Sequence, residues 1–357
     1  MRHLGRMNAT ARLAATLAAL LLWTAPAWAQ RLPSSRLKDG ADLLRIFEPV
    51  VASAAEATVR VRAGDRELVL GTIIDADGFI LTKASELEPQ VTCRLRDGRE
   101  FDATIVGVHR DYDLALLKID AEALPVIAWQ TGREPRVGQL LATPGDDTAP
   151  VAVGVLSVAD RHIPQQRGVL GISISEGANG PEITQVFPES GAAKAGLQAG
   201  DIIRTVAGTV ISSGRLLTES IEKFRPGDRL QLVIRRGEAE QTIEAVLGYP
   251  GVNPLNRGDL QNLMGGDLSL RRGGFPKAIQ HDSVLAPQDC GGPLVELSGK
   301  AIGVNIARAG RTETFAIPAR EVLAILDDLK SGKLAPPAGP AASPEEDGPA
   351  LPRIAGK

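Results

Sequence analysis

Eight residues, Gln288-Asp289-Cys290-Gly291-Gly292-Pro293-Leu294-Val295, constrain this chain more than any other stretch. They place one nucleophilic side chain ahead of two glycines and then run into an apolar pair that opens a strand. Glycines in that place let the backbone turn tightly, so that its amides can face a developing oxyanion while the side chain faces a cleft. A bare Gly-Gly-Pro would mark only a turn. Here the turn Ser298-Gly299-Lys300 follows and then a second strand, Ala301-Ile302-Gly303-Val304-Asn305-Ile306, so the segment reads as a hairpin behind a reactive loop.

A nucleophile needs a base, and the chain has four histidines, His3, His109, His162 and His281. Upstream, Gly71-Thr72-Ile73-Ile74-Asp75-Ala76-Asp77-Gly78-Phe79-Ile80-Leu81-Thr82-Lys83-Ala84-Ser85-Glu86-Leu87 reads as strand, Asp-Gly turn, strand and short helical turn. Asp97-Gly98-Arg99 and Asp111-Tyr112-Asp113-Leu114-Ala115-Leu116-Leu117-Lys118-Ile119 follow. Together with the cysteine loop, these stretches resemble the HtrA/Deg family of secreted trypsin-fold serine proteases. The resemblance covers Val59 to about Asp160 and Gly274 to Asp327. It implies a mainly β, two-barrel trypsin-like (chymotrypsin) fold. It also implies a catalytic His three residues after the hairpin Thr, an orienting Asp opening the Asp-Leu-Ala segment, and a nucleophilic Ser in the Gly-Gly-Pro loop. In this sequence those positions are Ser85, Asp113 and Cys290.

Two of the three implied catalytic positions have therefore changed. Serine has no basic form near neutral pH, so Ser85 can neither take the nucleophile's proton nor return it to a leaving amine. A free thiol is a few per cent ionised at neutral pH, which permits alkylation or oxidation of Cys290 but supplies no acid for amide cleavage. The oxyanion loop, Gln288, Asp289 and Gly291, departs as well, since the family has Gly where Gln288 stands; a side chain there crowds the amide. His281, nine residues before Cys290, is the candidate substitute base, against the plainer reading of a structural histidine bonded to Asp282 or a carbonyl. His109 reads as a solvated turn residue and His162 as part of a linker. Lys83 and Ser85 suggest a Ser-Lys pair, but two residues apart at a strand end is weak geometry, and Lys83 reads as solvated.

The segment Arg167-Gly168-Val169-Leu170-Gly171-Ile172 to Leu247 resembles a bacterial PDZ domain, an α+β module. Val186-Phe187-Pro188-Glu189-Ser190-Gly191-Ala192-Ala193-Lys194-Ala195-Gly196-Leu197 and Gly200-Asp201-Ile202-Ile203 carry the likeness. An amphipathic helix is expected near Leu216-Ile221-Phe224, then the alternating strand Leu230 to Gly237. The resemblance implies that amides of the Gly-Val-Leu-Gly loop take a peptide's terminal carboxylate while the next strand pairs with the peptide. Val169, Leu170, Gly171, Ile172, Ser173 and Ile174 are the matching residues. The alternative is a spacer or lid whose groove is filled by its own chain. The placement departs from the family, which mostly puts PDZ after the complete protease domain. Neighbouring termini make insertion into a surface loop of the second barrel tolerable.

Residues 1–29 carry Arg2, Arg6 and Arg12, an apolar core from Leu13 to Trp23, and Ala27-Trp28-Ala29, the layout of a secretory signal. The apolar run is short for a membrane span. Its removal leaves 37 basic against 43 acidic residues, which disfavours nucleic acid as a partner. Cys93 alternates with Val91 and Leu95 and reads as a buried apolar residue, so a disulfide with Cys290 is not expected.

The expected organisation is a signal over 1–29, an N-terminal helical segment over 30–58 with one helix from Ser34 to Ala54, and the first part of the trypsin-like domain over 59–163. The PDZ domain follows over 167–248, a return linker over 249–273, the second trypsin-like part over 274–330, and a disordered tail over 331–357. A closing helix is expected from Glu321 to Leu329. The whole reads as an exported pseudoprotease, periplasmic or extracellular, that binds peptide segments or C-termini of exported or misfolded proteins. It requires no cofactor and no metal, meets a membrane only if the signal stays uncleaved, and by family resemblance assembles as a homo-oligomer such as a trimer. The alternatives are an endopeptidase using Cys290 with a displaced base, and a thiol sensor.

Overall fold

The computed structural model describes residues 40–177, 179–250 and 266–335; the expected signal, most of the return linker and most of the tail lie outside them. Six strands close the first barrel in the order β1-β2-β3-β6-β5-β4. They are β1 Thr58–Ala63, β2 Arg66–Ile73, β3 Phe79–Lys83, β4 Val91–Arg94, β5 Glu100–His109 and β6 Leu114–Ile119. The Asp75 to Gly78 turn between β2 and β3 needs its glycine: φ is +94°, and a Cβ there would lie 2.4 Å from the carbonyl oxygen of Ile119. Alternation survives in β4, where Val91 and Cys93 face inward. It fails in β3, where all but the first residue are buried, because the cysteine loop covers the strand's other face.

The second barrel is discontinuous in sequence. Strands β7 Leu140–Thr143 and β8 Ala152–Ile163 come first, then the inserted segment, then β15 Phe275–His281, β16 Pro293–Glu296, β17 Ala301–Gly310 and β18 Glu313–Pro318, closing as β15-β18-β17-β16-β7-β8. Ile163 and Phe275, where the insert leaves and returns, are cross-strand partners. The barrel thus loses no pairing to the insertion. Leu81, Leu114 and Leu116 of the first barrel share one buried cluster with Phe275, Val304, Phe315 and Ile317 of the second, so the barrels pack through a common apolar core.

The insert has its own core, centred on Leu170, Ile183, Ile203, Leu217, Leu232 and Ile234. Its sheet runs β14-β13-β11-β10-β9, with β9 Ile172–Gly177, β10 Gly180–Val186, β11 Ile202–Val206, β13 Arg229–Arg236 and β14 Ala239–Val246; the short β12, Thr209–Val210, pairs with β11. The expected amphipathic helix runs from Gly214 to Ile221 and is capped by Ser213 Oγ, which accepts from Leu216 N–H.

At the N-terminal end the structure has two helices, α1 Ala41–Ile46 and α2 Glu48–Glu56, where one was expected. Pro49 explains the break: it lacks an N–H and fits the first turn of a new helix but not the interior of a continuous one. The later helices are α3 Gly191–Lys194, α4 Gly214–Ile221 and α5 Ala319–Lys330. Residues 331–335, expected at the start of a disordered tail, pack against the first barrel, with Val108 N–H donating to the Leu334 carbonyl at 2.7 Å. His162, expected in a linker, lies within β8.

Candidate active site

Asp113 ends the turn before β6 in a left-handed conformation, φ +57°, that non-glycine residues seldom adopt. That turn aims its carboxylate, 2% exposed, at the residues following β3. Ser85 meets it twice: its N–H donates to Oδ1 at 2.9 Å and its hydroxyl to Oδ2 at 2.8 Å. Burial pushes the Asp113 carboxyl above its ordinary value, against the opposing effects of Lys83, Arg271 and Ser85. The acid therefore holds position 85, but what it holds is a hydroxyl whose single proton is already committed.

Cys290 lies across the cleft, fully buried. Its Sγ is 4.0 Å from Ser269 Oγ and 4.0 Å from the Ala286 carbonyl. Burial pushes the thiol up to about 11, with the charge of Lys83 acting the other way. The loop amides turn inward: Cys290 N–H donates to the Pro287 carbonyl at 3.2 Å, closing a 3-10 turn over Pro287–Asp289, and Gly291 N–H donates to Asn305 at 2.7 Å. An oxyanion hole needs donors aimed at the reacting oxygen; these two are engaged elsewhere. Gly291 has φ +92°, and a Cβ would stand 2.1 Å from the Leu70 carbonyl, so only glycine brings this loop so close to β2.

The Gln288 side chain is exposed, while its carbonyl accepts from Arg60 Nη1 at 3.2 Å. Asp289 accepts from Ala286 N–H at 3.0 Å and lies 3.7 Å from Arg60; burial pushes its carboxyl up. Arg60 also bonds Asp146 at 3.0 Å, so one guanidinium ties β1 to both loops of the second barrel. Sequence reasoning missed it, because an arginine in an alternating strand reads as solvent-facing.

The expectation for Lys83 is corrected. It is fully buried, with Nζ 3.0 Å from Glu86 Oε1, and its charge acts on both Asp113 and Cys290. The cysteine loop packs over β3 and closes the face on which the lysine would have met water. His109, expected to be solvated, is half-buried and packs on Tyr112 with ring centroids 5.3 Å apart. His281 is fully buried on β15 between its cross-strand partners Leu156 and Thr314, and the Asp282 carboxylate accepts from Val155 N–H at 2.7 Å. Both cysteines are free, Cys93 inside the first barrel.

Three surface hollows, of about 410, 440 and 570 Å³, open at His109 to Ala335, Arg133 to Leu297 and Ala63 to Asp102, and none of them includes Ser85, Asp113 or Cys290. The Arg308 side chain, 2% exposed, donates to the Leu285 carbonyl and so lies against the segment leading into the cysteine loop.

In the insert, Val169 pairs with Gly248 in both directions, and the carbonyls of Leu170 and Gly171 accept from Ala192 and Phe187. Gly171 has φ +81°, and a Cβ there would stand 2.3 Å from Ser190 Cβ. Ile172, Ser173 and Ile174 then open β9, the last strand of its sheet, alongside α4. Of the six residues matched to a peptide-binding edge, Ile172, Ser173 and Ile174 thus lie on the edge strand, while Val169, Leu170 and Gly171 form the segment that leads into it.

Two closed six-stranded barrels with a PDZ-like insert define a trypsin-fold protein carrying a PDZ domain. Family models agree: a trypsin-like peptidase domain matches residues 70–186 and a PDZ domain residues 168–247. A probable periplasmic serine endoprotease DegP-like from Halomonas elongata is 25% identical over 271 residues, 52% of this chain and 57% of that protein. A protein of the same description from Pseudomonas fluorescens is 31% identical over 157 residues, 39% of this chain and 33% of that one. The periplasmic pH-dependent serine endoprotease DegQ of Escherichia coli is 24% identical over 327 residues, 66% of this chain and 71% of that one. These matches support an HtrA-type family for the chain. It spans little more than half the length of the Halomonas relative and a third of the Pseudomonas one.

Proposed function

We propose that this chain is an exported pseudoprotease that binds extended peptide segments or C-termini of other exported proteins through its PDZ domain. One observation carries the reading: both oxygens of the Asp113 carboxylate accept from Ser85, one from its amide and one from its hydroxyl. The residue this acid orients has no basic form near neutral pH, so nothing at position 85 can draw the proton from Cys290. The buried thiol, held mostly protonated, and the inward-turned loop amides support the same conclusion. The secretory layout of residues 1–29 and the periplasmic descriptions of the relatives support export. No helix among the described residues is long and apolar enough to cross a membrane.

The test is cleavage of an unfolded protein such as casein by the purified mature chain under reducing conditions, wild type beside Cys290→Ala. Neither should cleave. Cleavage by the wild type that disappears in the variant would overturn the proposal and turn attention to His281 as the base.

A further inference from the structure

Residues 267–274 bring the chain back from the PDZ domain to β15, and they do so across the cleft. Ser269 N–H donates to the Arg308 carbonyl at 3.0 Å, and Arg308 N–H donates back to Ser269 Oγ at 3.0 Å. That two-way exchange is how an extended peptide adds to a strand edge, here with a hydroxyl in place of one carbonyl. The segment alternates as a strand does: Ser269 is fully buried, Leu270 is 56% exposed, and the Arg271 side chain turns in again. The Arg271 guanidinium donates to the carbonyls of Arg110 and Asp111, lies 3.8 Å from the Asp113 carboxylate and stands over the Phe275 ring. The insert's entry linker secures the other side: Gln166 Oε1 accepts from Arg272 N–H at 2.6 Å, and Gln166 Nε2 donates to the Leu270 carbonyl at 3.2 Å.

A connection that only spans a gap leaves its backbone to water. This one buries a serine against the thiol and commits an arginine to the turn that presents Asp113. We propose that residues 267–274 are an internal occupant of a second peptide edge, the end of β17 beside Cys290, acting as a strap that must lift before an extended peptide can enter. The ligand class follows from the strap: an extended peptide with a small polar residue against Arg308 and a basic residue two positions later. The proposal does not depend on whether chemistry survives in the cleft, so its test uses no activity.

The first measurement is alkylation of Cys290 by a small maleimide under native conditions, with Cys93 as the internal control for global opening. Arg271→Ala should raise the Cys290 rate at least tenfold over wild type and leave Cys93 unchanged. An unchanged Cys290 rate, or equal acceleration of both thiols, would overturn the proposal. The second uses the wild type alone and so survives any misfolding of the variant: hydrogen exchange of the Ser269 amide should be at least tenfold slower than that of exposed Leu270. Equal rates would overturn the strap. Finally, a fluorescent peptide Gly-Asp-Leu-Ser-Leu-Arg-Arg-Gly, copied from residues 266–273, should bind Arg271→Ala saturably and wild type at least tenfold more weakly. No binding to a variant whose Cys290 has become reactive would overturn the edge as a peptide site.

Discussion

Two strand edges in this molecule invite a peptide, and the chain treats them oppositely. At the end of β17, Arg308 already exchanges hydrogen bonds with Ser269, and the thiol beside it is fully buried. In the PDZ domain, β9 is the terminal strand of its sheet and presents Ile172 and Ile174 half-buried alongside α4. A strand edge is a template for pairing whoever supplies the partner. What separates the two is occupancy. The cleft that carries Ser85 beside Asp113 is covered by the chain itself, and the PDZ edge stays open.

The largest effect that sharpens this contrast lies beneath the cleft. Lys83 and Glu86 form a pair whose cation is wholly buried. Removing one partner of a buried pair leaves the other charge uncompensated and costs about 3–5 kcal/mol. Lys83→Met should therefore lower the urea midpoint of the trypsin-like part while PDZ peptide affinity stays within twofold. A midpoint shift worth less than about 1 kcal/mol would show that water reaches the cleft floor, which breaks the claim that it is closed.

A smaller effect comes from the thiol and carries a definite sign. Cys290 is held at about 11 in the fold against an ordinary 9.0. Below pH 9 both folded and unfolded chains keep the proton and the group contributes nothing. Between 9 and 11 the unfolded chain loses it first, so stability falls as pH rises, by an amount on the order of 3 kcal/mol. Cys290→Ala should remove that part of the alkaline loss, while the part due to Cys93, pushed up to about 12 by burial, remains in both proteins. Urea midpoints at pH 8, 9, 10 and 10.5 measure it; identical pH profiles would mean that the thiol is open to solvent and the strap loose.

Much of this was legible in the sequence where local rules and burial agree. The Asp75 to Gly78 turn, the inward alternation of Val91 and Cys93 and the amphipathic α4 follow from glycine geometry and periodicity, and the structure shows each. Ser85 and Asp113, picked out by the family resemblance, meet at 2.8 Å. What could not be read depends on faces closed by distant chain. Lys83 and Arg60 sit on strands whose outward side would be solvated in an isolated barrel, yet the loop around Cys290 covers both. Ser269 and Arg271 lie in a Gly- and Arg-rich stretch with too few apolar residues to betray an edge strand, so it reads as a linker. The break between α1 and α2 is the opposite case: Pro49 was visible, but the apolar spacing across it favoured one helix.

The smallest effect tests the open edge directly. Gly171 turns the chain into β9 at φ +81°, and any Cβ there would meet Ser190 at 2.3 Å. Gly171→Val must therefore shift the turn that presents the first residues of the edge, without touching the cleft. Affinity for a peptide with a free apolar C-terminus, measured by fluorescence anisotropy, should fall at least tenfold, about 1.4 kcal/mol. In the same assay Cys290→Ala should change nothing, since its side chain lies in the second barrel. If the valine variant bound as well as wild type, the peptide would be docking somewhere other than β9. If the alanine variant lost affinity, the two edges would be coupled through the strap rather than separate.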